Sequence, residues 1–404
     1  KISSTDKAGN SASKTITGIT LDDRPTSALV AVSMPGFSPN GDGFKDDIAF
    51  TIKPTLTEGI SSWTFTVTVS DGKNTKAVKT WTSKAADSAG IQPLPNRLVW
   101  DGLGDDGKVT EGRLTGELTI DYAKGNKVLA KSPEFVCCIT PPALEAKTSP
   151  EYFSPDNDGE ADELFINLKK TNSLTNITSW SFVIKDRAGL DFWKTGGKSA
   201  ITPVITWDGR GNKGDLVISA EDYPYDFTVT DDLGMTSTIS GKISIDVLVI
   251  RDGNKLKMMV PAIIFRGDNA DFAMAGDKDA NGNTIKRGIT AEQKANNERV
   301  LKRIAQILKK FSEYKVVVVG HANRMTDDPR EETESNPSLW GPALIPLSKA
   351  RAEYVRNVLV GYGVSRSRLS VDGKGGTEPM KGVDTKDKNV NWKNRRVEFI
   401  LEKK

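Results

Sequence analysis

The chain has 404 residues, enough for two to four domains with ample core, and a formal net charge of only +3. So small a charge, with both signs interleaved, excludes the strong electrostatic pull of a surface built for nucleic acid or anionic lipid. No apolar run approaches the roughly 20 residues of a membrane-spanning helix. The only cysteines, Cys137 and Cys138, are adjacent. On a strand their thiols point to opposite faces, which predicts one buried and one edge thiol, with a vicinal or intermolecular disulfide as the alternative. No signal peptide is visible, and the chain opens at Lys1 in mid-pattern, as a piece of a longer protein would.

In chain order, residues 1–30 carry a turn signal, Thr5-Asp6-Lys7-Ala8-Gly9-Asn10, and then the alternating Ser13-Lys14-Thr15-Ile16-Thr17. They read as the closing strands of a truncated upstream β unit, as a linker, or as a strand lent to the domain after them. Next comes an internal repeat. Phe37-Ser38-Pro39-Asn40-Gly41-Asp42-Gly43 returns as Phe153-Ser154-Pro155-Asp156-Asn157-Asp158-Gly159. Ser62-Trp63 returns as Ser179-Trp180, Trp81 as Trp193, and Trp100-Asp101-Gly102 as Trp207-Asp208-Gly209. The period of roughly 110 residues is that of a small β-sandwich. Alternating runs such as Thr64–Val69 and Trp180–Ile184 lie between turn clusters. Residues 31–141 and 142–246 are therefore expected to be two all-β sandwiches, with the tryptophans as core anchors.

Two acidic loops have the spacing of calcium ligands. Asp156, Asp158, Glu160 and Asp162 alternate around Gly159, as in the first half of a calcium loop, whereas Asn40, Asp42 and Asp46 in the first repeat are poorer in carboxylates. Asp277, Asp279, Asn281 and Gly282 imitate the start of an EF-hand, but its twelfth position is Gly288, so the bidentate Glu is absent. Asp and Asn also cap turns without any metal, so a plain turn is the competing reading at both loops.

Residues 247–404 change character. Thr290 with Gln293 is a capping box, and Leu301, Ile304, Leu308 and Phe311 come after it at helical spacing. Val316–Val319 is a short apolar run, as in a strand covered on both faces. Ser348 is read as the N-cap of a second helix with Ala350, Tyr354, Val358 and Leu359 as its buried stripe, stopped by Gly361 and Gly363. Arg368–Val371 and Arg396–Ile400 read as further strands. Two helices on one face of a small mixed sheet are expected, making the whole a multidomain chain of tandem sandwiches and an α+β domain.

Three blocks here, LSKARAEYV, GVSRSRLSVDGKGGTEP and NRRVEFIL, preceded by VVVVGHAN, resemble the OmpA-like C-terminal domain family over about 140 residues, one domain's worth. The resemblance implies non-covalent binding of peptidoglycan through the diaminopimelate of its stem peptide, and a periplasmic, outer-membrane-associated place. It carries the family's guanidinium fork for the ligand carboxylate onto Arg351, with backbone N–H groups near Ser348 helping it, and Asp268 in the same site. The acid that holds the ligand ammonium falls on Asn323. A neutral amide there gives up about 1–2 kcal/mol relative to a charge-assisted bond. Leu344 stands where the family has Asn, Gly267 where it has a bulky residue, and the loop between Asn323 and Leu347 is about twice the family length. More loosely, the FSPNGDG opening and the WDG turn resemble Ig-like units of flagellar hook-capping and gliding-motility C-terminal families. That resemblance implies spacing or docking modules. Together they suggest a divergent, spirochaete-type envelope protein.

For catalysis the chain offers little. His321 is read as a structural strand-end residue, and no nucleophile elbow, phosphate loop, zinc spacing or Cys/His pair is present. The expectation is a non-catalytic envelope protein whose diaminopimelate site is weakened or lost and which meets other envelope proteins. The alternatives are a working peptidoglycan anchor and, more remotely, an enzyme with an interdomain site.

Overall fold

The computed structural model describes residues 1–18, 22–70, 72–84, 90–261 and 263–403. They form two compact units. One holds residues 1–143 with segments 172–178 and 230–236; the other holds 144–171, 179–229 and 237–404.

In the first unit, Ile2–Thr5 and Ser11–Lys14 form an exposed antiparallel hairpin. The Asp6 carboxylate closes its turn by accepting from the N–H groups of Ala8 and Asn10. The hairpin pairs only with itself among the described residues, whereas the strand Ala28–Val32, which begins within residues 1–30, joins the first repeat. That repeat is two sheets. Ala28–Val32, Ile48–Pro54 and Arg97–Trp100 make one. The other is built on the long strands Ile60–Ser70 and Gly112–Tyr122. Period-2 alternation turns Phe50 and Ile52 from one sheet, and Trp63, Phe65, Val67, Leu118 and Ile120 from the other, into a single core.

Both cysteines are buried, against the expectation of one edge thiol. They do face opposite ways. Cys137 enters the sandwich core, but the far side is covered too, because Cys138 packs with Leu233 and Met235 of the 230–236 segment. Burial, and then the neighbouring Cys138 and Glu111, pushes the Cys137 thiol up to about 12.

The second unit opens on a sandwich of the same plan. Leu144–Ser149, Leu164–Lys170 and Val204–Trp207 form one sheet; Asp191–Lys198, Ile177–Lys185, Asp222–Asp231 and Thr236–Ser244 form the other. The repeated motifs fold alike. Trp100 and Trp207 are buried 5.4 Å from Phe37 and Phe153 respectively, and each indole N–H donates to a carbonyl three residues on. Gly102 and Gly209 have φ of +83° and +79°, and a Cβ on either would lie 2.5 or 2.6 Å from the ring of Pro39 or Pro155. The glycine after Trp-Asp is required twice over, by backbone conformation and by the proline against it.

The rest of this unit is a five-stranded sheet in the order Ile250–Asp252, Lys255–Val260, Val397–Lys403, Tyr314–Gly320, Leu369–Gly373. Its last pair is parallel and the others antiparallel. Helices α1 (Ala291–Lys310) and α2 (Leu344–Gly361) share one core with Val316, Val318, Phe399 and Leu401. The Thr290–Gln293 capping box is formed as expected. Helix α2 departs from expectation. It begins one turn earlier, with Ala343 as its N-cap and Pro346 in the first turn, where no N–H is needed. Ser348 is thus inside the helix. The buried stripe is Leu344, Ser348, Arg351, Ala352, Val355 and Leu359, with Ala350, Tyr354 and Val358 only partly covered.

The sandwich and this domain are joined by polar ties. The Arg303 guanidinium grips buried Asp246 through Nε at 2.9 Å and Nη2 at 2.6 Å, and Asp156 accepts from the Val249 N–H at 2.8 Å. Ala220 and Val247 of the sandwich end enter the helical domain's core.

Candidate ligand site

Two glycines set the site. Strand Tyr314–Gly320 and strand Leu369–Gly373 end under the first turns of α2. A Cβ on Gly320 would run into the Ser348 carbonyl, and one on Gly373 would lie 2.5 Å from the Lys349 nitrogen. The helix backbone therefore rests directly on the strand ends. Ser348 fixes it there: its Oγ donates to the Ile345 carbonyl and accepts from the Gly375 N–H.

Past Gly320 the chain runs through His321 and Ala322 to Asn323, which is 5% exposed. Both polar atoms of the Asn323 amide are partnered. Its Nδ2 donates to the carbonyls of Arg324 (2.9 Å) and Thr385 (3.0 Å), and its Oδ1 accepts from Asn394 Nδ2 (3.0 Å). The orientation is dictated along the chain of bonds, because Asn394 Oδ1 is taken by the Met380 N–H. Asn323 is a strut between the strand end and the 380–394 segment.

Arg351 is 8% exposed. Its Nε donates to the Asn269 carbonyl at 2.9 Å, its guanidinium lies 5.1 Å from the centre of the Phe265 ring, and its Nη groups make no hydrogen bond among the described residues. Burial first, and the charge of Arg395 second, bring its pKa down to about 10, with Asp268 pulling the other way. Asp268 is exposed, at φ +55°, and faces Gly341 of the long loop. Leu344 is buried as the first residue of α2, and Gly267 stands in open space. The loop itself is anchored. A 3-10 turn, Pro329–Glu332, buries two carboxylates: Glu331 accepts from the Met325 and Thr326 N–H groups, and Glu332 from the Gly376 N–H while pairing with Arg324. Of the four residues expected to share a site, Ser348 is a helix–strand tie and Asn323 a strut. Arg351 keeps uncommitted donors, and Asp268 acts on it only through its charge.

Residues 290–393 match the model of the OmpA family. That segment is an OmpA-family domain. No curated protein matches the chain. Among solved structures, a MotB-like protein from Desulfovibrio vulgaris is similar at 18% identity over 39% of this chain and 78% of that one, with a TM-score of 0.28. The periplasmic domain of Helicobacter pylori MotB is similar at 21% identity over 38% and 80%, TM-score 0.27. The peptidoglycan-associated lipoprotein from Burkholderia pseudomallei is similar at 18% identity over 33% and 92%, TM-score 0.22.

Beside Arg351 the OmpA-like domain and the second sandwich enclose a pocket of about 150 Å³. Arg187, Arg351, Arg395, Arg396, His321 and Gln293 supply its polar lining, and Phe265 and Trp392 much of its apolar wall. Arg187, Arg395, Arg396 and Trp392 are not among the site residues that the sequence suggests. The adjacent Arg395-Arg396 pair before a strand is the one available signal, since one of two neighbours on extended chain must face inward. His321 is 2% exposed, with neither ring nitrogen hydrogen-bonded; its Nε2 lies 3.5 Å from Glu398 Oε2. Burial would raise the Glu398 carboxyl, but His321, Lys257 and Arg396 around it outweigh that and hold it far below its ordinary range.

At the acidic loop of the second sandwich, Asp156, Asp158 and Asp162 bring one oxygen each within 4.8 Å of one another, and Glu160 stays outside the group. Asp162 is spent on the N–H groups of Asn157 and Gly159, as Asp46 is on those of Gly41 and Gly43. Asp158 accepts from the Glu160 N–H. Asp156 Oδ1 is buried without a partner. At the other loop Asp279 closes a tight turn, accepting from the N–H groups of Asn281 and Asn283.

Proposed function

We propose that this is a non-catalytic protein of the periplasmic cell envelope, outer-membrane-associated, whose OmpA-like domain stands at the cell wall with the diaminopimelate grip dismantled. The β-rich repeats serve as spacers and as docking surfaces for other envelope proteins. The match of residues 290–393 to the OmpA family supports the placement. The observation that carries the altered site is the commitment of Asn323 to Arg324, Thr385 and Asn394, which offers an incoming ammonium no charged acceptor and only an amide oxygen already bonded to Asn394. Apart from His321, the pocket's polar side chains are four guanidiniums and one amide, groups that bind rather than move protons at neutral pH, which favours this reading over an enzyme.

One observation favours a working anchor instead: Arg351 keeps the family's position with its Nη donors free. Calorimetric titration of the full chain with a diaminopimelate-containing stem peptide separates the two. No saturable heat is expected. Micromolar binding that Arg351→Ala abolishes would establish the anchor and overturn the proposal.

A further inference from the structure

The pocket beside Arg351 is distinct from the strand end that holds Asn323, which does not line it. Three segments converge there. Arg187 comes from the Asp186–Leu190 turn of the sandwich, held rigid by Asp186 accepting from the N–H groups of Ala188 and Leu190. Arg351 comes from α2. Arg395 and Arg396 come from the step between the 3-10 turn Asn391–Asn394 and the last strand.

Their charges are unevenly answered. Arg396 pairs with Glu398 at 2.7 Å, and Arg187 with Glu221 at 3.2 Å while lying 4.6 Å over the Trp392 ring. Arg351 and Arg395 have no carboxylate partner among the described residues, and no carboxylate lines the pocket. Arg396, 6% exposed, has its Nη1 buried with no hydrogen bond, and so do both nitrogens of His321. Buried donors left unmade are costly, and like charges crowded together are costlier. An oxyanion carrying two negative charges would answer both at once, since guanidinium forks match its oxygens and two uncompensated cations match its charge.

We propose that this pocket binds a compact doubly charged oxyanion of the phosphomonoester class, and that the second sandwich contributes to the site through Arg187. Convergence from three directions on a small volume suits one tetrahedral group better than an extended chain. The phosphate could be borne by a soluble sugar or by a lipid headgroup.

The test uses the full chain at fixed ionic strength. Calorimetry with inorganic phosphate and with glucose 6-phosphate is expected to show saturable binding that chloride does not reproduce. Pelleting with phosphatidic acid vesicles, against phosphatidylcholine vesicles, reports the lipid source. Arg187→Gln and Arg395→Gln are each expected to weaken binding about tenfold, the scale of one charge-assisted bond. Arg187→Lys should restore part of it, and Arg330→Gln, on an exposed loop, should change nothing. Absence of phosphate-specific binding in every arm overturns the proposal. So does binding that Arg351→Gln removes while Arg187→Gln and Arg395→Gln leave it intact. The stem-peptide titration shares Arg351 with this pocket, and the Arg187 and Arg395 variants, which the anchor reading does not involve, keep the two outcomes apart.

Discussion

Restoring the family acid by Asn323→Asp is expected to damage the fold rather than rebuild a binding site. The substitution turns a donor into an acceptor and sets a carboxylate oxygen against the carbonyls of Arg324 and Thr385, 2.9 and 3.0 Å away. Thr385 keeps a second donor, Asn391 Nδ2 at 3.2 Å, whereas the Arg324 carbonyl is left bare. One buried acceptor unmade and a second weakened come to about 2–4 kcal/mol. In a domain of this size that lowers Tm by roughly 5–15 °C. The new carboxyl sits where burial and two carbonyls favour its protonated form, which can still donate one bond. The loss should therefore be larger at pH 8 than at pH 5. Thermal unfolding of parent and variant at both pH values, monitored by far-ultraviolet circular dichroism, measures this. A variant as stable as its parent at pH 8 would refute the strut, and one that also bound stem peptide would show that the long loop yields.

The same geometry sets other expectations. Gly320→Ala forces α2 off the strand ends, and overpacking of that kind costs about 1–3 kcal/mol, read as a lower Tm together with loss of whatever Arg351 binds. Gly102→Ala and Gly209→Ala should each destabilise their own sandwich, by about 1–3 kcal/mol for left-handed strain plus contact with Pro39 or Pro155, seen as unfolding of one repeat at a time in limited proteolysis. Glu398 ionises well below its ordinary 4.5 in the folded chain, so the unfolded chain takes up its proton first as pH falls. The stability it contributes is full above about 4.5 and is lost as pH drops through the folded value. Urea midpoints between pH 7 and 3 should fall less steeply in Glu398→Gln. Submillimolar calcium should leave melting unchanged, because Asp162 and Asp158 already serve backbone N–H groups. A rise of several degrees that Asp158→Asn removes would instead show a completed ion site.

The legible parts of the sequence are local. The capping box at Thr290 and Gln293 and the apolar run Val316–Val319 state their own structure, since each depends on neighbours within a few residues. The start of α2 is hidden because Ser348 looks like a cap. The proline two residues earlier is no obstacle to the helix, and what holds Ser348 inside is Gly375, 27 residues on. Asn323 stands out in the sequence as the place where the family acid is missing. Its partners Thr385 and Asn394 lie 62 and 71 residues away, beyond any spacing argument. Arg187 belongs to a different domain from Arg351, and only the closure of the second unit brings both to one pocket. The cover on Cys138 is hidden for the same reason, being the distant segment around Leu233.

The Arg303–Asp246 clasp has a mechanical meaning. With Asp156 holding the Val249 N–H just beyond the sandwich and Val247 sunk in the helical core, tension on the second sandwich is not taken up by a slack tether. It passes straight into α1 and the sheet, so the two halves of this unit bear load as one piece. Breaking the clasp with Arg303→Gln strands a buried carboxylate, at the lower end of about 3–5 kcal/mol since Arg303 is partly open to water. In a pulling experiment it should split one rupture into two. If the parent already yields in two steps, the clasp carries no load.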